Sequence, residues 1–254
     1  MTFFLNMEIT HFLINRAAWI KGKGIGVKVA TVFPNNVKKE PSLPSVHAIF
    51  ALFDSDTGQP KAFVDGSLVT KWKTAADSVL GAKLLARENS KVLTIVGACA
   101  VASSLIDAYR EVFPQLETIQ IWNRTFSKAQ ALAITTLPDA LANADIVSCS
   151  TMSTEPILQG DWIKSGTHVD LIGAYRPDMR EADDLLLLKS NIFVDARETA
   201  IHDIGELAIP IHAGIIKEEA VKADLYQLCC GKVGLETEDE ITLFKTVGVR
   251  TSTL

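Results

Sequence analysis

The sequence contains little cysteine, no long apolar run and no excess of positive charge. No apolar run reaches the roughly 18 residues that span a bilayer, and the N-terminus lacks the basic region and cleavage site of a signal peptide. The net charge is −5, and no basic stripe interleaved with aromatic residues occurs, so we expect no nucleic-acid partner and no membrane partner. The cysteines show no C-x-x-C or metal-ligand spacing, which favours reduced thiols and a cytoplasmic location; they are Cys99, Cys149, Cys229 and Cys230.

Histidine is also scarce, and its five residues show no spacing typical of a metal site. Neither a Ser-His-Asp arrangement nor a pair of carboxylates can be argued from spacing, so we predict no metal site. What the chain does have is apolar residues, since 48% of its 254 residues are hydrophobic and only 22% are charged. This composition predicts a globular protein with a substantial core, built as one large domain or as two ordinary ones.

The first 90 residues predict a mostly antiparallel sheet followed by one helix. Partly alternating, β-branched runs over 9–16 and 25–33 predict two strands, and 45–53 and 61–65 predict another pair around a turn at 54–58. Small and apolar residues at helical spacing predict a helix over 67–87, with a close-packing surface beginning at Thr74.

After residue 90 the pattern changes to alternating strands and helices. Strands are predicted over 91–96, 118–122, 145–150, 168–172 and 191–195, with helices over 101–112 and 127–133. A short connection leads from the second helix to the segment 137–144. This alternation predicts an α/β fold: a Rossmann-type, doubly wound parallel sheet beside a smaller, mostly antiparallel α+β domain for substrate binding and dimerisation. We expect the nucleotide domain at 85–215 and the smaller domain at 1–84, completed by the helical and looped segment 216–254.

The strand–turn–helix stretch around Gly97 predicts a dinucleotide site. In the G-x-G-x-x-G/A pattern Gly97 is the first position, Cys99 replaces the middle glycine, and Ala102 is the third small residue. The intervening residues Ala98, Ala100 and Val101 complete the turn, at which a pyrophosphate sits on a helix N-terminus. The Cβ and sulfur of Cys99 are expected to crowd the cofactor.

The residues after the second strand of this unit favour NADPH over NADH. No acid stands at Asn123, Arg124 or Thr125 to bind a ribose 2′-hydroxyl, whereas Arg124 and Lys128 suit a 2′-phosphate. The alternative is a solvated basic turn. Ser150, Thr151 and Met152 close a later strand, where small hydroxyl residues border the nicotinamide ribose.

Three residues of the first 90 could bind a substrate. Lys28 lies within an apolar strand, and its ammonium either faces solvent or pairs with a substrate carboxylate and donates a proton to an imine. Lys73 is either an exposed helix lysine or a ligand for a phosphate or carboxylate. His47 precedes an apolar run, and a lone strand histidine is more often structural than catalytic.

Several stretches together resemble one protein family, the ornithine cyclodeaminase/mu-crystallin family, from about residue 12 onward. They are 26–35, 52–58, 64–66, 73–76, the Gly97 turn, 123–125, 144–147 and 240–248. Within that family, 151–156 and 178–184 are most similar to the Δ1-pyrroline-2-carboxylate reductase branch.

The resemblance implies NAD(P)H-dependent reduction of a cyclic imino acid to L-proline or L-pipecolate by a homodimer. It makes Lys28 the catalytic and substrate lysine, and it places Lys73, where the family usually has arginine, near the cofactor phosphates and the substrate carboxylate. The implied cofactor site also contains Thr74, 97–102, Asn123 to Thr125, Lys128, Ser150 to Met152, Val247 and Gly248.

The sequence departs from the family pattern at four places. Tyr175 stands where cyclodeaminases have an aspartate, which argues against ornithine cyclisation, and Cys99 replaces the central glycine. The family's carboxylate-binding arginine before residue 12 and its final helix after Gly248 are not matched, which predicts an incomplete substrate site or dimer interface. The alternatives are a non-catalytic, mu-crystallin-like NADPH- or ligand-binding protein, an alanine dehydrogenase-like enzyme and, although Tyr175 argues against it, an ornithine cyclodeaminase-like enzyme.

Overall fold

The computed structural model describes residues 3–8, 11–97, 101–124, 136–231 and 233–247. The described residues up to Lys73 form one compact unit, and those from Thr74 onward form a second, larger one. No helix in these described ranges is long and apolar enough to cross a membrane.

The first unit contains a five-stranded antiparallel sheet in which the strands pair in chain order. Its two tight turns, between the second and third and between the last two strands, place Gly22 and Gly58 at positive φ angles of 73° and 71°. The sheet confirms the mostly antiparallel pattern predicted for this part of the sequence. Its strands are β1 (Phe3–Glu8), β2 (His11–Ile20), β3 (Gly24–Val32), β4 (Val46–Phe53) and β5 (Pro60–Asp65).

The two faces of this sheet differ in character because successive side chains of a strand point to opposite sides. On one face Trp19, Ile49 and Phe63 are exposed, Phe63 to 70%. On the other face Lys28 lies between Arg16 and Phe50, its cross-strand neighbours.

Helix α1 (Gly66–Leu85) begins directly after β5, where the Asp65 carboxylate accepts a hydrogen bond from the Ser67 amide at 2.7 Å. Its second half carries the predicted close-packing surface, since Ala75, Ser78 and Ala82 are fully buried. At Gly81 an added Cβ would lie 2.5 Å from the Phe244 ring, so only glycine permits this contact.

The second unit contains a seven-stranded, all-parallel sheet in the order β11-β10-β12-β9-β8-β6-β7. Every residue of β8 and β9 is buried, and so are the last four residues of β6. Such burial is expected for a parallel sheet that is covered on both faces. The strands are β6 (Val92–Val96), β7 (Thr118–Trp122), β8 (Ile146–Cys149), β9 (His168–Leu171), β10 (Ser190–Val194), β11 (Val221–Asp224) and β12 (Ile241–Lys245).

Helices cover both faces of this sheet. The second half of α1 and α2 (Ala102–Val112) pack against Leu93 and Ile95 of β6 on one face. On the other face, α3 (Leu137–Asn143), α4 (Asp184–Lys189) and α6 (Gly205–His212) contribute to a core that includes Val96. These layers confirm the predicted α/β class with a Rossmann-type sheet. Two short helices complete the described set, α5 (Arg197–Ala200) and α7 (Leu225–Cys229).

The structure divides the chain differently from the sequence-based expectation for 216–254. β11 and β12 both belong to the parallel sheet, and β12 inserts between β9 and β10. The described residues of this segment therefore complete the second unit, because Ile241 to Lys245 are all buried and pair on both sides. The described boundary lies inside α1, at Lys73–Thr74, about ten residues before the expected one.

Candidate functional site

The carboxyl edge of the parallel sheet brings three predicted cofactor residues together. Val96 at the end of β6 pairs with Trp122 of β7 on one side and Cys149 of β8 on the other. Gly97, Asn123 and Ser150, which follow these residues, therefore lie along one edge. The chain moves outward from β6 to β7 and then returns to the opposite side of β6 as β8, and ligands bind at such a switch point.

Gly97 forms the tight turn that the sequence predicts. Its φ is +105°, in the region that side-chain-bearing residues rarely adopt, and its amide donates a hydrogen bond to the Trp122 carbonyl at 2.8 Å. An added Cβ would lie 2.7 Å from the Ser150 carbonyl oxygen. The loops after β6 and β8 therefore approach each other closely, and only glycine fits between them.

Helix α2 presents its N-terminus at this edge. The residue before the helix, Val101, provides no side-chain cap, and the first turn contains no acidic residue. Uncapped amides and the positive end of the helix dipole are what an anionic group binds. The described part of the turn therefore fits a dinucleotide pyrophosphate; Ala98, Cys99 and Ala100 lie outside the described residues.

At the end of β7, Asn123 is half-buried and Arg124 is exposed. No acidic side chain stands at either position, so this part of the edge lacks the usual ligand for a ribose 2′-hydroxyl. Thr125 and Lys128 lie outside the described residues.

After β8, the three residues Ser150, Thr151 and Met152 differ in exposure. Ser150 is buried, Thr151 is half-buried, and Met152 is 56% exposed. The amide and hydroxyl of Thr151 both donate to the Glu181 Oε1, at 2.7 and 2.9 Å. Glu181 is not among the residues predicted from the sequence, because no local pattern indicates which distant amides a buried carboxylate will bind.

At the end of β12, Val247 also reaches the carboxyl edge. Its amide donates to the Oδ2 of Asp195, at 2.9 Å, and Asp195 follows β10 directly. Gly248 lies outside the described residues.

Buried ionisable groups lie beneath this edge. Lys245 is fully buried and donates from Nζ to the carbonyls of Leu171 and Thr246, each at 3.0 Å. Burial raises the pKa of Glu206 to about 7, with Lys245 opposing the shift. Burial also raises the pKa of Asp170 to about 7, although Ser148 donates to its Oδ2 at 2.9 Å.

In the first unit, Lys28 is half-buried and donates from Nζ to the Thr70 hydroxyl of α1 at 3.1 Å. Arg16 is directly opposite Lys28 in the antiparallel pairing of β2 and β3, so both cations are on one face of the sheet. Two neighbouring cations suit a carboxylate ligand. Arg16 is not among the residues predicted from the sequence. The short turn at 21–23 is the signal that could have found it, because a tight hairpin turn fixes which residues of β2 and β3 lie opposite each other.

Helix α1 places Lys73 and Thr74 one turn beyond Thr70, on the same side of the helix. Both residues are half-buried. Because Lys28 contacts Thr70, its ammonium lies beside the turn of α1 that precedes Lys73.

The structure does not bring His47 together with Lys28. His47 pairs with Thr31, an odd number of residues from Lys28 in β3, so the two side chains lie on opposite faces of the sheet. His47 is exposed on the face that carries Trp19, Ile49 and Phe63.

The described residues contain no group of three or more His, Cys, Asp or Glu side chains that could hold a metal ion. Burial lowers the pKa of His168 to about 3, and its Nδ1 lies 2.8 Å from the Thr242 hydroxyl, so this histidine belongs to the interior of the sheet.

Comparisons with known proteins agree with this architecture. A protein named Δ1-pyrroline-2-carboxylate reductase from Paracoccus denitrificans (strain Pd 1222) is 48% identical over 252 residues, covering 94% of this chain and 79% of the relative. The solved structure of the Thermococcus litoralis Δ1-pyrroline-2-carboxylate reductase in complex with NADH and L-proline matches at a TM-score of 0.91 and 30% identity, covering 98% of this chain and 81% of that one.

An archaeal alanine dehydrogenase dimer with bound NAD also matches at a TM-score of 0.91, with 29% identity, covering 98% of this chain and 80% of that one. The family model matches residues 17–252, which include β3 to β12 and most of the chain. By this match and by the identity to its relatives, the chain belongs to the ornithine cyclodeaminase/mu-crystallin family.

Proposed function

We propose that this protein reduces Δ1-pyrroline-2-carboxylate to L-proline with NAD(P)H. The observation that carries the proposal is the 48% identity, over 94% of the chain, to a protein named Δ1-pyrroline-2-carboxylate reductase. The Thermococcus structure contains NADH and L-proline, the reductant and the product of that reaction. The six-membered analogue Δ1-piperideine-2-carboxylate, which gives L-pipecolate, is the second substrate that we propose.

In this reaction the C=N bond gains a hydride at carbon and a proton at nitrogen. NAD(P)H, when bound, supplies the hydride. We assign the proton to Lys28, whose ammonium also binds the substrate, with Arg16 beside it as a second cation for the carboxylate. The hydrogen bond from Lys28 to Thr70 orients the ammonium on its face of the sheet.

The proposed cofactor site lies at the carboxyl edge of the parallel sheet. Gly97 and the α2 N-terminus bind the pyrophosphate, and Lys73 and Thr74 contribute from α1. The further members, some of them known only from the sequence, are Ala98, Cys99, Ala100, Val101, Ala102, Asn123, Arg124, Thr125, Lys128, Ser150, Thr151, Met152, Val247 and Gly248.

We propose NADPH as the preferred cofactor, with NADH as a weaker one. Arg124 is exposed at the end of β7, and its guanidinium suits the 2′-phosphate that distinguishes NADPH.

An alanine dehydrogenase-like activity on pyruvate and ammonia is the second candidate. The specific observation in its favour is the match at a TM-score of 0.91 to an archaeal alanine dehydrogenase. Both candidates reduce an imine that lies next to a carboxylate, so the same two cations serve either substrate. The difference is whether the imine is already closed in a ring.

The test is NADPH and NADH oxidation with four substrates: the two cyclic imino acids, pyruvate with ammonia, and an open-chain control lacking the carboxylate. The proposal predicts that a cyclic imino acid gives the highest kcat/KM and that the product is the corresponding L-amino acid by chiral chromatography. A higher kcat/KM with pyruvate and ammonia assigns the second candidate. NADPH binding without turnover of any substrate assigns a non-catalytic binding protein.

We propose, further, that the protein is a homodimer in the cytoplasm. In the first unit, Trp19, Ile49 and Phe63 are exposed on one face of the sheet, and neighbouring exposed apolar side chains mark association surfaces. The alanine dehydrogenase neighbour is a dimer, and Cys149, Cys229 and Cys230 are free.

Sedimentation equilibrium tests the assembly. Phe63→Glu is expected to convert the dimer to monomers, because it places two charges within the apolar contact. The control is Lys222→Glu, which makes a charge change at an exposed position of β11 in the second unit. A monomeric wild-type protein would overturn the proposal.

A further inference from the structure

Glu181 lies at the carboxyl edge of the parallel sheet, where its carboxylate binds two different loops. Its side chain is fully buried, and its two oxygens accept four hydrogen bonds. Oε1 accepts from the amide and hydroxyl of Thr151 at 2.7 and 2.9 Å, and Oε2 accepts from the amides of Gly173 and Ala174 at 2.6 and 3.3 Å. One carboxylate therefore joins the loop after β8 to the loop after β9.

The two loops touch backbone to backbone at this point. A Cβ added to Gly173 would lie 1.8 Å from the Thr151 carbonyl oxygen and 2.5 Å from Glu181 Oε1. The close approach leaves little room between the loops, and the fully buried Glu181 carboxylate is the acceptor for amides on both sides.

Glu181 itself is held by a second buried carboxylate. Glu206, in the first turn of α6, accepts from the Glu181 amide at 2.7 Å and from the Ala182 amide at 3.0 Å. The Glu181 carbonyl in turn accepts from the amides of Ile157 and Leu158 at 2.9 and 2.8 Å. These contacts fix the backbone of Glu181, and therefore the point from which its side chain reaches the loops.

We propose that Glu181 is a positioning residue for the nicotinamide half of the cofactor, an inference that rests on the proposed function. A doubly wound sheet binds a dinucleotide across its switch point, with one half on each side. The β6 turn and the end of β7 take the pyrophosphate and the adenosine half, so the loops after β8 and β9 take the nicotinamide half. Glu181 sets the spacing of those two loops.

The chain contains a matched control for this carboxylate at the opposite end of the same sheet. Asp145, just before β8, accepts from the amides of Lys91 and Val92 at 2.8 and 3.0 Å. Its other oxygen binds Arg87 and Lys164 at 2.8 and 3.0 Å. Asp145→Asn therefore replaces one acceptor oxygen by an NH₂ donor within a comparable set of hydrogen bonds, at the amino-terminal edge and away from the ligand edge.

The first experiment compares binding of NADPH with binding of 2′-phospho-ADP-ribose, which lacks nicotinamide, by calorimetry of the full chain. In Glu181→Gln the side-chain NH₂ faces backbone N–H groups, and two donors cannot form a hydrogen bond with each other. The link between the two loops is therefore lost on one side. The affinity advantage of NADPH over the truncated ligand is expected to fall about tenfold, with binding of the truncated ligand unchanged. Asp145→Asn should keep the advantage. Equal losses of affinity for both ligands in Glu181→Gln would overturn the inference, because they indicate general loosening.

The second experiment follows turnover with the cyclic imino acid. Glu181→Gln is expected to lower kcat by about 10- to 100-fold and to raise the isotope effect from deuterium at the nicotinamide C4, because misplacement slows the chemical step. Asp145→Asn is expected to leave both within about twofold. A retained kcat in Glu181→Gln, or an equal fall in both variants, contradicts the proposal.

Failure of the two proposals can be told apart. If the wild-type protein turns over no imino acid, the proposed function fails, and the binding comparison alone decides the role of Glu181. If Glu181→Gln does not fold, Glu181→Asp keeps the charge but shortens the side chain by one methylene, so the carboxylate no longer reaches both loops and the NADPH advantage should fall by a smaller factor. An unchanged advantage in that variant would also contradict the inference.

Discussion

Replacement of Lys28 by methionine tests the proposed chemistry most directly. Methionine preserves most of the apolar stem and removes the ammonium. The Thr70 hydroxyl loses the hydrogen bond that it accepts at 3.1 Å but keeps the bond that it donates to the Gly66 carbonyl at 2.6 Å. From the loss of this one hydrogen bond, with the Thr70 hydroxyl still paired to Gly66, we expect the free energy of unfolding to fall by about 1 kcal/mol.

The expected loss of activity is much larger and has two parts. A hydrogen bond from a charged group to the substrate carboxylate is worth about 1.5–3 kcal/mol, roughly 10- to 100-fold in kcat/KM. Loss of the proton donor costs roughly a further 10²- to 10⁴-fold. Arg16 remains beside the carboxylate, so the first part should be near its lower limit. We expect kcat/KM to fall at least about 10³-fold.

The assay is steady-state oxidation of NADPH with Δ1-pyrroline-2-carboxylate, combined with calorimetric measurement of NADPH binding. The control is Lys61→Met, since Lys61 is exposed on β5 and pairs only at the surface with Asp54 at 2.7 Å. Lys28→Met should bind NADPH as the wild-type protein does, and Lys61→Met should keep full turnover. Turnover by Lys28→Met within about tenfold of wild type, far above what loss of a proton donor allows, would remove this lysine from the mechanism.

Four further changes have defined outcomes. Gly97→Ala should weaken NADPH binding and lower the free energy of unfolding by about 2–4 kcal/mol in urea denaturation, because of backbone strain and overlap with the Ser150 carbonyl. The control is Gly214→Ala, where φ is positive but the space is open, and it should lower the free energy of unfolding by only about 1 kcal/mol. Arg124→Ala should raise the Kd of NADPH about tenfold and leave that of NADH unchanged, and equal effects on both would argue against a 2′-phosphate contact. Cys99→Gly should tighten NADPH binding, and an unchanged or weaker Kd would contradict the expected crowding. Burial raises the pKa of Asp170 to about 7, so between about pH 4 and 7 the folded state binds more protons than the unfolded state, and the free energy of unfolding should fall as the pH rises. Asp170→Asn should make this fall smaller in urea denaturation. An unchanged pH dependence would assign the fall to other groups.

Periodicity predicted the two sheets because it reports local burial. In β3, alternation of residues between two faces is visible in the sequence, and in β6 a run of buried residues ends at a small-residue turn. Both patterns depend on neighbours within one segment, so the α/β class and the Gly97 turn could be predicted without knowing the pairing.

The strands of the last forty residues could not be recognised in this way. β11 has only four residues with a lysine at its second position, and β12 ends in Lys245, which is fully buried. A lysine in a short strand normally indicates an edge or a loop. Its burial depends on the carbonyls of Leu171 and Thr246, one of them 74 residues away, and no local pattern reveals such a partner.

The site shows the same limit. The face on which His47 lies depends on the register between β3 and β4. The long connection between these strands includes a 3₁₀ helix at Pro34–Lys38, so the register cannot be deduced from the sequence. Glu181 binds amides of residues 30 and 8 positions away. Its role follows from how two loops meet in space, which only the structure provides.

The place of β12 has a consequence for biosynthesis. This strand lies near the middle of the parallel sheet, between β9 and β10, yet among the described strands it comes last in chain order. Until residue 245 has left the ribosome, β9 and β10 have no shared neighbour, and their inward-facing edges stay open to water and to other nascent chains. The parallel sheet of the larger unit can therefore close only after residue 245 has been synthesised, although β10 is already complete at Val194.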